Sequence, residues 1–313
     1  MHKIIAASAI VMLFVVGRPF QGRQSGAESL ALPVLAAAQS YSSGQPVWPA
    51  FEGWEKNDDG SFDLVFGYMN DNWREEFDVP IGADNAIDPG GPDRGQPTHF
   101  QPRRNRFMFR VRVPKDWGDK EMVWTLSTQG VARKAYASLR TDLQIENIDI
   151  MSETGALGAG TSNPVLRADK PPVISIVGPK SLSAKVGAPV TLTAVVTDDG
   201  VPRARGGGRG RGVNTPPPVR ITVGKTLGLH LSWFVYRGPG TVTFEPRQAK
   251  TWEDTREGAN SPWAPRWAPP PVPAEGKYVV TATFDQPGTY VLRGRADDGA
   301  LTSDDDVTVT VSR

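Results

Sequence analysis

The segment Pro287-Gly-Thr-Tyr-Val-Leu-Arg-Gly-Arg-Ala-Asp-Asp-Gly299, followed by Asp306-Val-Thr-Val-Thr-Val311, decides the fold of this chain. Apolar or small residues occupy every second position in both runs, and an Asp-Gly turn lies between them. A two-residue period is typical of strands that bury one face, so the segment predicts a closing antiparallel hairpin. The predicted inner face consists of Tyr290, Leu292, Gly294, Ala296, Val307, Val309 and Val311.

The residues upstream of this hairpin alternate in the same way from Pro171 onward. Ile174 and Ile176 begin a first strand, and Tyr278–Phe284 forms a late one. The inner positions of the two strands between them are Val190, Leu192, Ala194 and Val196, and then Leu229, Leu231, Trp233 and Val235. Half-buried strands separated by Gly, Pro and Asp turns pack as sandwiches, which predicts one β-sandwich over 171–313.

The N-terminal half predicts a second sandwich over 46–146. The run Phe62–Tyr68 alternates, and so does Arg106–Val113. In the latter, Phe107, Phe109, Val111 and Val113 are predicted to face inward, and Arg106, Met108, Arg110 and Arg112 outward. One apolar and one charged face indicate a sheet with one side in water. The whole chain is therefore predicted to be all-β, with two β-sandwich domains.

Four residues of the C-terminal half resemble the core of immunoglobulin-like sandwiches. Trp233 lies on the third strand, Tyr290 precedes the inward Leu292 by two positions, and Leu192 lies on the second strand. The resemblance implies a core tryptophan, a tyrosine corner, and two leucines where such domains often hold a disulfide. The motifs Val186-Gly-Ala-Pro-Val-Thr-Leu192 and Ala296-Asp-Asp-Gly299 also resemble bacterial PKD-like and cadherin-like repeats. The N-terminal half resembles uncharacterised exported bacterial proteins.

The N-terminus predicts export. A short positive head, Met1-His2-Lys3, precedes a run that is apolar apart from Ser8 and reaches Gly17. That run is too short to span a bilayer comfortably and is typical of a signal peptide. Residues 1–38 are therefore predicted to be a signal peptide or leader, cleaved after Gly17 or after Ala38, with no membrane span in the processed chain.

Composition excludes several functions. The 35 basic and 34 acidic residues nearly cancel, so nucleic acid is not predicted as a partner. The chain has no cysteine, which excludes disulfides, thiolate metal sites and cysteine nucleophiles.

Three segments interrupt the strand pattern. Residues 147–170 are rich in Gly, Ala, Ser and Pro and predict a flexible linker with its centre at 155–160. The Gly-Arg-Pro run over 201–220 is predicted to be a disordered insertion. A Trp- and Pro-rich insertion is predicted over 251–276.

Two Asp pairs of the C-terminal half are candidates for a cation site. Asp198 and Asp199 follow the second strand, and Asp297 and Asp298 lie in the turn of the closing hairpin. An immunoglobulin-like fold brings these loops to one pole, and clustered carboxylates suit Ca²⁺. The alternative is ordinary turn chemistry, in which Asp side chains close Asx-turns.

Tryptophans in loops are candidates for ligand stacking. Trp252, Trp263 and Trp267 lie in the Trp- and Pro-rich insertion, and Trp73 lies beside Asn70 and Asn72. Such rings could stack on sugars or on side chains of a protein partner. The alternative is that they cover a sheet edge or the end of a sandwich.

Charged and titratable residues give weaker signals. The basic stripe of Arg103, Arg104, Arg106, Arg110 and Arg112 could bind polyanions, although pairing with Glu76 and Asp78 explains it more simply. The region 203–211 resembles RNA-binding RGG segments, but a solvated loop suits an exported chain better. No serine-hydrolase or zinc-protease motif occurs. His99 with Asp93 and Asp88 is the one cluster retained as a weak site.

These features predict an exported, non-catalytic binding or structural module of the cell envelope. It would be periplasmic, secreted or at the cell surface, and it would contact a protein or glycan through loops at the ends of the sandwiches. These loops are the two Asp pairs and the Trp- and Pro-rich insertion of the C-terminal half, and Asn70–Trp73 with Asp88–Phe100 in the N-terminal half. An extracellular carbohydrate-active hydrolase and a subunit of a larger envelope assembly are the alternatives.

Overall fold

The computed structural model describes residues 41–153, 164–203, 228–252 and 269–313, and sixteen strands lie in these ranges. Those of the N-terminal half are β1 (Val47–Lys56), β2 (Phe62–Asn70), β3 (Phe77–Asp78), β4 (Asn85–Asp88), β5 (His99–Phe100), β6 (Arg103–Val113), β7 (Met122–Thr128) and β8 (Val131–Ala137). Those of the C-terminal half are β9 (Val173–Ile176), β10 (Ser181–Lys185), β11 (Val190–Thr197), β12 (His230–Arg237), β13 (Val242–Glu245), β14 (Lys277–Phe284), β15 (Gly288–Asp297) and β16 (Thr302–Ser312). The helices are α1 (Asn147–Glu153) and α2 (Pro164–Arg167), and 3-10 turns lie at Thr141–Leu143 and Ala274–Gly276.

The N-terminal strands enclose an aromatic core. They form a sheet of order β1-β2-β6, a sheet of order β4-β7-β8 and the short pair β3-β5. Phe66 stacks on Phe109 with ring centroids 5.2 Å apart, and Trp124 meets both rings edge-on. The Trp124 indole also donates to Asn85 Oδ1 at 3.0 Å, so its polar group is satisfied in the buried core.

A bulge in β6 changes the side-chain pattern predicted for that strand. Pairing with β2 is regular as far as Phe66 opposite Phe109, and it resumes at Tyr68 opposite Asn105. Phe107 has a φ of +51° inside the bulge. As a result, Phe107 packs in a cluster with Val65, whereas Met108 packs with the N-terminal core. The prediction of strict alternation through Phe107 and Met108 is wrong, because extra residues in one strand break the two-residue period.

The C-terminal strands form an immunoglobulin-like sandwich, which confirms the predicted all-β fold class. One sheet has the order β13-β14-β11-β9 and the other β10-β16-β15-β12. The closing hairpin β15-β16 pairs from Gly288 opposite Val311 to Asp297 opposite Thr302. Its predicted inner face lies in the core: Tyr290, Leu292, Ala296, Val307, Val309 and Val311 are all buried. The sequence did not predict β10, which runs parallel to β16.

The tyrosine corner and the core tryptophan are present. The Tyr290 hydroxyl donates to the carbonyl oxygen of Gln286 at 2.9 Å, which ties the turn to the start of β15. Trp233 is 2% exposed and belongs to the same core cluster as Leu192 and Leu292. This is the arrangement that the immunoglobulin-like resemblance implied.

The segments that interrupt the strands are described in part. Helix α1 occupies the start of the predicted linker and buries Ile150 and Met151. This part of the predicted flexible linker is therefore packed, because its apolar residues lie against Val65 and Phe107. The predicted linker centre at 155–160 lies outside the described residues, as do most of the insertion over 201–220 and Trp263 and Trp267.

In the described residues, no helix has the length and apolar character needed to cross a membrane.

Candidate functional site

Strand β12 contributes side chains to the cores of both sandwiches and so forms the junction between them. Every residue from His230 to Tyr236 is buried, on both faces of the strand. Leu231, Trp233 and Val235 enter the C-terminal core, whereas Phe234 and Tyr236 belong to the N-terminal core. One strand thus closes two hydrophobic cores.

Two arginines of β15, the buried Arg295 and the partly buried Arg293, extend the junction. Arg293 makes a bidentate pair with Asp306, with both bonds at 2.8 Å, and Arg295 makes one with Asp304 at 2.7 and 2.8 Å. Arg293 also donates to the Met108 carbonyl oxygen at 2.7 Å, and its guanidinium lies 3.5 Å from the centre of the Tyr236 ring. The two bidentate pairs lie within the closing hairpin and fix the direction of each guanidinium, and the remaining bond of Arg293 then reaches Met108 of the N-terminal half.

The loop after β4 covers the outer edge of β12. The Tyr236 hydroxyl donates to the Gly95 carbonyl oxygen at 2.5 Å, and the Thr98 N–H donates to the Tyr236 carbonyl oxygen at 3.2 Å. Asp93 pairs with Arg237 at 2.8 and 3.0 Å. A sheet edge that would otherwise be open to other strands is closed within the chain.

Helix α1 fills the remaining gap between the sandwiches. Ile150 and Met151 pack in one cluster with Val65 and Phe107 of the N-terminal half. The same cluster contains Ala300 and Leu301 from the turn between β15 and β16. The segment that connects the two halves is therefore also part of their interface.

The acidic pole is the second candidate site. We define it as Asp169, Asp198, Asp199, Asp297 and Asp298. The last four were predicted from the sequence, and electrostatic interactions join all five in the structure. Each predicted Asp also accepts a bond from the backbone of its own turn, for example Asp198 Oδ2 from the Gly200 N–H at 2.9 Å and Asp297 Oδ1 from the Gly299 N–H at 2.6 Å. Turn chemistry therefore explains one oxygen of each residue.

Other oxygens at the acidic pole are buried without a partner. Both carboxylate oxygens of Asp169 lack a hydrogen bond, and so do Asp198 Oδ1 and Asp298 Oδ2. Burial and the charges of Asp199 and Asp198 raise the pKa of Asp169 to about 7. Burial, followed by the charges of Asp169 and Asp297, raises the pKa of Asp298 to about 7 as well. Unpaired buried carboxylates are costly, which marks this pole as unusual for a structural turn.

Asp169 was missed by the sequence analysis. It stands alone before Lys170-Pro171-Pro172 and has no turn motif around it. Only the path of the chain into β9 brings it to the two Asp turns. Among the described residues, no three acidic or histidine side chains have their donor atoms arranged as a ready metal coordination shell.

The tryptophans predicted to stack on ligands are engaged within the chain where they are described. Trp73 is half-buried under the guanidinium of Arg103, 4.2 Å from the ring centre. Trp252 is 3% exposed with Lys250 Nζ 4.1 Å from its ring, so its ring is unavailable as a platform in this structure. Among the described residues, the exposed aromatic side chains are instead Tyr41 at 46%, Trp48 at 47% and Tyr136 at 56%, which the sequence analysis did not select.

The predicted grouping of His99 with Asp93 and Asp88 is wrong. His99 Nδ1 contacts Asp78 Oδ1 at 2.8 Å, and its Nε2 contacts Glu76 Oε2 at 3.1 Å, because β3 pairs with β5. Burial alone would lower the pKa of His99, but the hydrogen bonds and charges of Asp78 and Glu76 outweigh it and raise the pKa to about 9. A histidine held in its charged form between two carboxylates is a structural clamp.

Ion pairs explain the basic face of β6, although with other partners than predicted. Arg104 pairs with Glu52 at 2.6 Å, Arg110 with Glu55 at 2.6 Å and Arg112 with Asp63 at 3.3 Å. These acids come from β1 and β2, whereas Glu76 and Asp78 are taken up by His99. Cross-strand pairing therefore accounts for this stripe.

Comparison with known proteins places the chain near no named family. No family model matches the sequence, and no curated protein matches it. Three of the solved structures that match the chain do so at low sequence identity and low TM-score. The chain is 10% identical to the N-terminal eight Ig domains of Down Syndrome Cell Adhesion Molecule, with a TM-score of 0.23, and 85% of this chain covers 27% of that one. It is 9% identical to a fragment of the S-layer protein SbsC, with a TM-score of 0.22, and the coverage is 80% and 23%. It is 10% identical to the D0–D1 domain of intimin, with a TM-score of 0.22 and coverage of 84% and 97%. The chain thus spans about a quarter of the first two structures, and its fold class is established by its own sheets and cores.

Proposed function

We propose that the chain is an exported, non-catalytic structural or binding module of the cell envelope in which the two sandwiches act as one rigid body. The observation that carries this proposal is the sharing of β12 by both cores. A hinged pair of modules would leave this strand with one face in water. A rigid pair would hold two bound partners, one at each end, at a fixed distance and orientation.

The ionisable groups of the junction support a structural role. Burial alone would raise the pKa of Asp304, but Arg295 and Arg293 hold it below its usual value. Perturbed groups at catalytic sites are commonly poised to exchange protons near neutral pH. Here the carboxylate is locked in its ionised form by two arginines, which suits a permanent contact.

The N-terminal loops that were predicted to bind a partner make contacts within the chain instead. Asn70 and Asn72 are fully buried and bond to the backbone around them, for instance from Asn72 Nδ2 to the Gln45 carbonyl oxygen at 2.6 Å. Residues 93–98 cover β12, as described above. These loops hold the module together, which moves the proposed contact surface elsewhere.

Exposed valines on the sheet β13-β14-β11-β9 favour contact with another protein of an envelope assembly. Val173 of β9 is 60% exposed, and Val279 of β14 is 52% exposed. Their neighbours across the strands are Thr197 and Thr193, and the exposed Lys277 and Glu245 lie on the same face around Val279. Exposed apolar side chains within a polar rim are a feature of interaction surfaces.

Export is tested by fractionating cells that produce the full chain and measuring its intact mass. We expect the processed chain, without its first 17 or 38 residues, in the envelope or the medium. The Leu13→Arg variant, which interrupts the apolar run, should remain inside the cell at full length. Recovery of the wild-type chain in the cytoplasm with Met1-His2-Lys3 intact would refute the export proposal.

The contact surface is tested by a matched pair of variants. Val279→Lys and Val131→Lys change side chains that are both 52% exposed. Retention of the purified chain on envelope preparations should fall for Val279→Lys and stay at the wild-type level for Val131→Lys. Equal retention of all three proteins would remove this sheet face from the proposal.

A further inference from the structure

We propose that Asp169, Asp198 and Asp298 form a site for a divalent cation with oxygen ligands, of which Ca²⁺ is the matching ion. The site would tie the segment that enters the second sandwich to the two turns at its end. It goes beyond the proposed envelope role, because a rigid module needs no bound ion.

Burial of unpartnered carboxylates carries the inference. Asp169 is 3% exposed, and neither of its carboxylate oxygens has a hydrogen-bond partner. Asp298 is 1% exposed, and its Oδ2 has none. Its Oδ1 is already used by the Ala300 and Leu301 N–H groups at 2.6 and 2.8 Å, which fixes the side chain and leaves the second oxygen free. Buried charges are normally paired or coordinate a metal.

The charges of the pole add a second argument. Asp169 comes from the connecting segment, whereas Asp198 and Asp298 come from turns that are far away in sequence. Three separate segments thus bring acidic side chains into electrostatic contact. Mutual repulsion works against this arrangement unless a positive charge compensates it. Ca²⁺ accepts six to eight oxygens from carboxylates, carbonyl groups and water in a flexible geometry, which suits a mixed set of this kind.

The side chains must converge for the ion to bind. The donors do not yet stand as a coordination shell. Asp198 lies in a turn at the surface and is half-buried, so its side chain can rotate toward Asp169 more freely than Asp298 can. Ligand convergence on binding is ordinary for Ca²⁺ because its coordination tolerates a range of distances and angles.

The experiment is calcium titration of the EDTA-treated full chain at pH 8, followed by calorimetry and by the midpoint of thermal unfolding. The probes are CaCl₂ and MgCl₂ alone. We expect saturable binding of Ca²⁺, a higher unfolding midpoint in its presence, and a weaker response to Mg²⁺, which demands a stricter octahedral geometry. Asp169→Asn and Asp298→Asn should each weaken Ca²⁺ binding at least tenfold. Asp116→Asn, at an exposed turn of the N-terminal sandwich, is the matched control and should bind as the wild type does.

Unfolding midpoints in EDTA and in CaCl₂ distinguish a variant that has lost the site from one that has lost the fold. In EDTA, Asp169→Asn should melt at or above the wild-type temperature, because the substitution removes a buried charge. In saturating CaCl₂, the same variant should melt below the wild type. An unfolding midpoint of the wild type that does not respond to millimolar CaCl₂ would overturn the proposal, and so would full Ca²⁺ binding by both variants. Neither result would affect the export and retention tests, which use no added metal.

Discussion

Replacement of His99 by glutamine should destabilise the chain in a pH-dependent way. His99 is 8% exposed and lies between Asp78 and Glu76, which together raise its pKa to about 9 from the model-peptide value of 6.5. The folded state therefore binds the proton more tightly than the unfolded state does. The resulting stabilisation is fully present below pH 6.5 and is lost as the pH rises through about 9.

The size of the effect follows from the two pKa values and the exposure of the partners. A difference between 6.5 and about 9 corresponds to about 3 kcal/mol. The side chains of Glu76 and Asp78 are 50% and 40% exposed, so solvent screens part of their charge. We therefore expect the pH-dependent part to be about 1–2 kcal/mol.

The assay is urea unfolding of the wild type and His99→Gln at pH 6, 7.5, 9 and 10, with free energies compared at each pH. Taking the difference between the two proteins cancels distant groups, including Asp169 and Asp298 with pKa values near 7. The free-energy difference should be largest at pH 6 and shrink by about 1–2 kcal/mol by pH 10. A difference that stays constant across this range would refute the charged clamp.

Two further substitutions test the fold and the junction. Arg293→Met removes one partner of a partly buried ion pair that also bonds to the Met108 carbonyl oxygen, so unfolding free energy should fall by about 1.5–3 kcal/mol, whereas Arg112→Met at an exposed pair should cost less than about 1 kcal/mol. Equal losses in urea unfolding would contradict the junction's role. Tyr290→Phe removes the hydroxyl bond to Gln286 and should cost about 1 kcal/mol in the same assay, and an unchanged midpoint would argue against a stabilising tyrosine corner.

The parts of the fold that follow from alternation could be predicted from the sequence. Strands β11, β14, β15 and β16 carry apolar residues at every second position, and the positions predicted to face the core are buried. The predicted inner face of β12 is buried as well, but its second face is also buried, which alternation did not predict. Phe107 and Met108 could not be assigned correctly, because a bulge shifts the period by an amount that the sequence does not display. Strand β10 was missed because Ser181-Leu-Ser-Ala-Lys185 contains little apolar signal and depends on β16 for its pairing.

Four of the five residues of the acidic pole could be predicted from the sequence, and Asp169 could not. Asp198 and Asp298 lie in Asp-Asp-Gly turns, and the topology of an immunoglobulin-like sandwich places those turns at the same end. Asp169 reaches them only through the path of the connecting segment, which has no local motif. The pairing of His99 with Asp78 and Glu76 depends on the register of β3 with β5, two strands of two residues each. Contacts of that kind are set by tertiary packing and not by local pattern.

The sharing of strand β12 limits how the gene for such a chain can be divided by recombination. A gene fragment that encoded only the C-terminal half would leave Phe234 and Tyr236 uncovered, and one that encoded only the N-terminal half would lack two side chains from its core. Recombination between the halves would therefore yield products that stick to other proteins or fail to fold. The pair of sandwiches, and neither one singly, is the piece that evolution can move intact.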